Sequence, residues 1–338
     1  MIQNFSIKNL ANIEYLDIPK LSNVNVIIGE NDTGKTMILK ALYSLCKSIE
    51  TLDKGSENRT LKEIISKKIY WTFQVNKIGD LVTKDREDKS THFELQASID
   101  EQNLAVSFSD SATKQVGFVT DRAVNREENS IFIPAKEVLS LFGVIKSSRE
   151  IDKVFGFDDT YLDLVNALQK DPQKGANFQN FSKSKKILDK VINGKILYEN
   201  GVWFFRKNKM KIPITSTAEG IKKIGIIDRL LSNKYIRPNS IIFIDEPESF
   251  LHPKAIIEFL DIIRLLAKNE IQIFIATHSY FVIKKLMLIA QKESMDIPII
   301  SLDKHRSYET FNLKEGIPDN PIIDTSIALY EEELDLAL

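Results

Sequence analysis

The chain has 338 residues, 43% of them hydrophobic and 28% charged, and a formal net charge of −1. This is the composition of a globular protein with room for one large core or two smaller ones, and it excludes a disordered chain and one drawn to nucleic acid or anionic lipid by overall charge. The single Cys46 excludes an internal disulfide and suits a reducing compartment. The opening "MIQNFSIKNLANIEYLDI" lacks the basic-then-apolar order of a signal peptide. Within it, "FSIKN" and "IEYLDI" alternate as half-buried strands do, whereas the following "VNVII" is continuously apolar, as in a strand covered on both faces. A glycine-containing loop, "GENDTGKT", then leads into a helix carrying Ile38, Leu39, Leu42 and Leu45 on one face. Further antiparallel strands are predicted at "IYWTFQV", "THFELQASI", "LAVSFS" and "VGFVT".

The strand "SIFIPA" opens a mostly helical stretch reaching about Gly194, in which the lysine-rich "SKSKKILDK" reads as a solvated helix face. A hairpin follows, "KILY" and "VWFF" joined by Asn200-Gly201. From Ala218 onward helices alternate with buried strands, the pattern of an α/β half. The longest apolar region, "IQIFIATHSYFVIKKLMLIA", is interrupted by His278, Lys284 and Lys285, so no membrane span is expected and the cytoplasm is the expected location. Three units are predicted: an N-terminal lobe over 1–135, a mostly helical insertion ending in a hairpin over 136–215, and a C-terminal lobe over 216–338.

Three motifs carry chemistry. "GENDTGKT" matches G-x-x-x-x-G-K-[ST] between a strand and a helix, the context in which backbone N–H groups cradle phosphate oxygens. In that reading Gly29, Glu30, Asn31, Asp32, Thr33, Gly34, Lys35, Thr36 and Met37 line a nucleotide, Lys35 reaches the β- and γ-phosphates, and Thr36 binds Mg²⁺. "SIIFIDEPESFLHPKA" places Asp245 and Glu246 at the carboxyl end of a buried strand, where ligands of open α/β sheets bind. Such a pair also suits capping of the next helix. With a phosphate loop upstream, a division of labour is the better account: Asp245 on Mg²⁺ and Glu246 polarising an attacking water. His278, in "IATHS", follows another buried strand and is expected to reach the γ-phosphate.

These motifs, in this order, resemble the ABC-type ATPases of the SMC/RecF/OLD-like branch, the group of prokaryotic AAA-15 and AAA-21 ATPases. The resemblance runs from "FSIKNLANIEYLDI" to about Ser301, and "LHP" after "DEPE" marks this branch rather than transporter subunits. It implies an α/β P-loop fold of ABC-ATPase type, with a mixed sheet, an antiparallel β subdomain and a helical insertion. It also implies a signature motif, matched by "TSTAEGIKKIGIIDRLL", in which Ala218, Glu219 and Gly220 would contact the nucleotide of a second subunit. Ala218 stands where the family has serine, with Ser216 or Thr217 as substitutes and Lys222 or Lys223 as added charge. His252 replaces the D-loop aspartate, as is usual in this branch, and Lys136 or Glu137 occupies the Q-loop region without the expected glutamine. Adenine contacts are expected near Lys8 and Asn9.

The resemblance further implies ATP and Mg²⁺ as ligands and a head-to-tail homodimer. "IPIISLDKHRS" offers Asp303 without a paired D-x-D, so DNA cleavage by this chain itself is not expected. The expected role is to regulate a separate effector, a nuclease or toxin, in phage defence or a toxin–antitoxin-like pair. One alternative is a RecF-like repair ATPase that contacts DNA directly. Another is a scaffold that senses ATP and scarcely hydrolyses it. The tail "EGIPDNPIIDTSIALYEEELDLAL" is predicted as an extended stretch and an acidic amphipathic helix, docked on a partner or packed on its own domain.

Overall fold

The computed structural model describes residues 1–54, 59–84, 91–173, 181–304 and 307–337. Its centre is a six-stranded sheet in the order β14-β13-β3-β12-β11-β7. Here β3 is Val24–Gly29, β7 Ser130–Ile133, β11 Ile241–Asp245, β12 Gln272–Thr277, β13 Pro298–Leu302 and β14 Tyr308–Asn312. All neighbouring pairs are parallel except β13 with β14. Every residue of β3 and β12 is buried, the consequence of their continuous apolar sequence. Alternate side chains of the sheet feed two cores. Ile242, Ile244, Ile273 and Ile275 enter one, while Phe243, Phe274, Phe132 and Ala276 enter the other. On the second face Phe132, Phe243 and Phe274 stack across β7, β11 and β12, and Tyr43 meets the first two edge-on.

That second face is covered by α1 (Lys35–Thr51), α2 (Leu61–Phe73) and an antiparallel sheet. The antiparallel sheet runs β2-β1-β4-β5-β6, with β1 Ile2–Leu10, β2 Ile13–Ile18, β4 His92–Ile99, β5 Gln102–Ser109 and β6 Phe118–Val119. The expected strand at "IYWTFQV" is a correction: Ile69–Phe73 belongs to α2. Thr60 and Glu63 form a reciprocal capping box, and Leu61, Ile64, Ile65, Ile69 and Thr72 fall on one buried face with helical spacing. The β-branched and aromatic cluster is thus the end of an amphipathic helix.

The first face carries α3 (Phe142–Lys146), α4 (Asp159–Gln169), α5 (Ser182–Ile192), α6 (Glu219–Ser232), α7 (Pro253–Ala267) and α8 (Tyr280–Glu293). Side chains 182–185, the start of the lysine-rich run, lie outside the described residues. The hairpin forms with β8 (Lys195–Glu199) and β9 (Val202–Lys207), turning through left-handed Asn200 and Gly201, and it gains a third strand, β10 (Met210–Pro213). The last helix, α9 (Pro321–Ala337), leaves Ile327, Leu329, Tyr330, Leu334 and Leu336 exposed. Among the described residues no helix is long and apolar enough to cross a membrane.

Candidate active site

Sheet register assembles the site. Asp245 lies beside Ala276, Thr277 beside Ile28 and Gly29 beside Leu302, so the carboxyl ends of β11, β12, β3 and β13 share one edge. The loop leaving β3 depends on two glycines. Gly29 has φ +155°, and an added Cβ would stand 2.6 Å from Thr33 Oγ1 and 2.7 Å from the Leu302 carbonyl oxygen. Gly34 has φ +97°, with Ile13 Cδ1 2.9 Å from the place of its Cβ. Gly34 also begins α1, which has neither a capping side chain nor an acidic residue in its first turn. Its end therefore favours an anion.

Lys35 is buried, and its Nζ donates to the carbonyl oxygens of Gly29 at 2.8 Å and Glu30 at 2.6 Å. Burial lowers its pKa, against the opposing pull of Glu246 and Asp245. The Thr36 hydroxyl donates to the Asp245 carboxylate, 2.9 and 3.1 Å from its two oxygens. Burial pushes the Asp245 carboxyl up to about 6, while the Thr36 hydrogen bond works the other way. A glycine cradle, an uncapped helix start, a buried lysine and a paired hydroxyl and carboxylate are the donor set that fits a nucleotide's phosphates and a hard divalent cation.

Glu246 follows at φ +44°, its amide donating to the Ala276 carbonyl at 2.9 Å. Ser249 Oγ donates to Glu246 Oε2 at 2.9 Å, and Glu246 Oε1 lies 3.4 Å from His278 Nδ1. His278 and Glu246 are both partly open to solvent, at 45% and 33% side-chain exposure, so an incoming ligand can reach them. Two neighbours, Glu248 and Lys223, were not placed beside Glu246 and His278 by the sequence reading. Glu248 accepts from Thr277 Oγ1 at 2.7 Å and from the His278 amide at 3.3 Å. Lys223, on α6, donates to the Glu246 carbonyl at 2.8 Å and the Pro247 carbonyl at 3.3 Å. The only signal for them was the density of acids in "DEPES" beside a helix with two adjacent lysines.

The signature-like segment does open a helix. Ala218 is the N-cap of α6, no side chain caps it, and the Thr217 hydroxyl donates instead to the Pro213 carbonyl at 3.2 Å. Ala218, Glu219 and Gly220 line a groove with Phe250, His252 and Ile192, and no residue of Gly29–Met37 lines it. The added charge expected of Lys222 or Lys223 there is corrected: both are buried. Lys222 donates to Ser140 Oγ at 3.0 Å and Glu219 Oε1 at 2.8 Å, while burial pulls Lys223 down to about 8. Glu137 accepts from the amide of Ser140 and lies 3.9 Å from Lys222, whereas Lys136 is exposed. His252 caps α7, accepting from the Lys254 amide at 3.3 Å.

Fold and site define an ABC-type ATPase of the SMC/RecF-like branch, an enzyme that hydrolyses ATP. The family described as "AAA domain, putative AbiEii toxin, Type IV TA system" matches residues 24–284, and the chain belongs to it. An "ATP/GTP phosphatase" of Helicobacter pylori (strain ATCC 700392 / 26695) is 23% identical over 332 residues, 82% of this chain and 85% of that protein. Among solved structures, an Smc head bound to the C-winged helix domain of ScpA has a TM-score of 0.52 at 13% identity, covering 92% of this chain and 97% of that one. A Pyrococcus furiosus Smc head with an extended coiled coil, bound to the C-terminal domain of ScpA, has a TM-score of 0.51 at 11% identity, covering 98% of both chains. These likenesses are of fold.

Proposed function

We propose that the chain is a Mg²⁺-dependent ATPase whose copies pair head to tail around ATP, and that this cycle governs a separate effector, a nuclease or toxin, in the cytoplasm. The observation that carries the reading is the Thr36–Asp245 hydrogen bond, which joins residues 209 positions apart at the mouth of the glycine loop. In this reading Lys35 and the first amides of α1 hold the β- and γ-phosphates. When bound to Thr36 and Asp245, Mg²⁺ supplies charge neutralisation on the phosphate oxygens. Glu246 orients a water and takes its proton as the water oxygen bonds to the γ-phosphorus and the bond to the β–γ bridging oxygen breaks. His278 holds the γ-phosphate beside it.

The dimer is supported by α6, whose uncapped start lines a groove that no residue of Gly29–Met37 lines. An anion brought by a second copy suits the free amides of that end, where Lys222 pairs the Glu219 carboxylate of the first turn. The effector role draws on the toxin system in the family's description and on the Smc heads of similar fold, which are bound to ScpA. Here α9 exposes Ile327, Tyr330 and Leu334 on one face with Glu331 and Asp335 beside them, chemistry suited to a basic partner. The test is light scattering and phosphate release on wild type and Glu246→Gln. The variant is expected to form a lasting dimer with ATP and Mg²⁺ and to lose turnover roughly 10²-fold or more, the scale of a lost general base. Equal turnover of the two proteins would refute the assignment.

A further inference from the structure

Beyond the loop, the metal pair and the proton acceptor, the site holds a second glutamate with no role so far. Glu248 has 11% side-chain exposure and leaves β11 three residues after Asp245. Its Oε1 accepts two hydrogen bonds from the end of β12, from Thr277 Oγ1 at 2.7 Å and the His278 amide at 3.3 Å, and stands 3.7 Å from His278 Nδ1. Its Oε2 is buried without a hydrogen-bond partner. A buried carboxylate oxygen left unpaired is costly, so a chain that keeps one there gains something by its placement.

We infer that Glu248 is a positioning residue for ATP hydrolysis, a clasp between the exits of β11 and β12 that sets where His278 stands relative to Glu246. The inference deepens the proposed function and rests on it. His278 follows a buried strand but precedes α8, whose N-cap Ser279 makes no side-chain cap, so little else orders the corner. Ser279 donates its amide to Thr277 Oγ1 at 3.0 Å, and that hydroxyl in turn donates to Glu248. One carboxylate oxygen thus fixes the Thr277 hydroxyl and the His278 amide directly and, through the hydroxyl, the Ser279 amide, and the His278 ring is left facing Glu246 Oε1 at 3.4 Å. Glu248 is badly placed to be the proton acceptor itself. Its bonded oxygen is saturated from β12, and its other oxygen is sealed from water, whereas Glu246 opens to solvent.

The role needs an acceptor oxygen at this place and not a negative charge, which separates it from general base catalysis. Glu248→Gln keeps that oxygen, Glu248→Ala removes it, and Thr277→Val removes the donor that relays it. Expected for Glu248→Ala is a fall of roughly 10- to 100-fold in kcat, with the Kd of a fluorescent ATP analogue within about twofold of wild type. Glu248→Gln is expected to restore kcat to within about threefold, because the acceptor is back. Thr277→Val is expected to mimic Glu248→Ala, and the double variant to be no worse than either single one. Turnover of Glu248→Ala within threefold of wild type would overturn the inference, as would a Glu248→Gln protein as inactive as Glu246→Gln. Should Glu248→Ala fail to fold, Glu248→Gln and Thr277→Val still decide the matter. The proposed ATPase fails separately, if wild type and Glu246→Gln turn over alike.

Discussion

In the proposed role, Asp245 sets function against stability at a single carboxylate. Its pKa in the folded chain, about 6, is above the ordinary 3.8, mainly through burial. A raised folded pKa means the native state holds the proton more tightly than the unfolded chain. The stabilisation is complete below about pH 4 and is lost as the pH rises through about 6. At neutral pH the protein therefore carries a largely desolvated anion that the Thr36 hydroxyl and the charges of Lys40 and Lys35 answer only in part. Asp245→Asn removes that cost and keeps an acceptor for the Thr36 hydroxyl. Without nucleotide or metal, it should be the more stable protein at pH 7.5, by at most ~3 kcal/mol, with the advantage gone at pH 4. Urea unfolding at the two pH values measures this, and Mg²⁺-dependent turnover should be lost in the same variant. Nearby, Gly29→Ala tests the cradle. Its Cβ would meet the Leu302 carbonyl at 2.7 Å, an atom that cannot swing away, so nucleotide affinity should fall even where the protein folds. Isothermal titration with an ATP analogue reads the loss.

Among the elements, those legible in sequence are the ones whose surroundings are uniform. The strands β3, β11 and β12 lie between two hydrophobic layers and are apolar on both faces, so "VNVII", "IIFI" and "IQIFIA" read directly. The helix α1 read equally well, from Ile38, Leu39, Leu42 and Leu45 behind a glycine loop. Reading failed where distant packing decides. Helix α2 is defined by a capping box about ten residues before the cluster that looked like a strand. Lys223, a surface residue by type, is buried because the Glu246–Pro247 turn offers its carbonyls. The contact of α6 with the hairpin was equally hidden. Gly225, in mid-helix, brings β8 so close that an added Cβ would lie 2.0 Å from Ile196 Cδ1 and 2.8 Å from Cγ1. Gly225→Ala gains ~1 kcal/mol of helix propensity but overpacks by ~1–3, so a net loss of up to about 2 kcal/mol is expected. Trimming the neighbour with Ile196→Val should return most of it, and thermal unfolding of the single and double variants measures the recovery.

At the scale of the whole molecule the question is whether one chain makes a complete site. Lys35, Thr36, Asp245, Glu246 and His278 meet within the chain, yet the start of α6 lines a different groove. If the proposed head-to-tail pair is the working form, each site takes its phosphate loop from one copy and its signature helix from the other. Two defects in different copies can then complement. Lys35→Ala disables the loop. Gly220→Glu puts bulk and negative charge on the first turn of α6, at a position where a Cβ meets only Leu251 at 3.4 Å and Ala255 at 3.6 Å, so the fold tolerates a side chain there. Each variant alone carries one defect in both sites of its homodimer and should be inactive. A mixed dimer gathers both defects into one site and leaves the other intact. Random pairing of equal amounts makes half the dimers mixed, so turnover should recover to about a quarter of wild type. Sites complete within one chain predict a mixture whose turnover is only the proportional average of the two variants measured alone. Phosphate release across a titration of one variant into the other distinguishes the two, because only composite sites give a maximum at equal proportions.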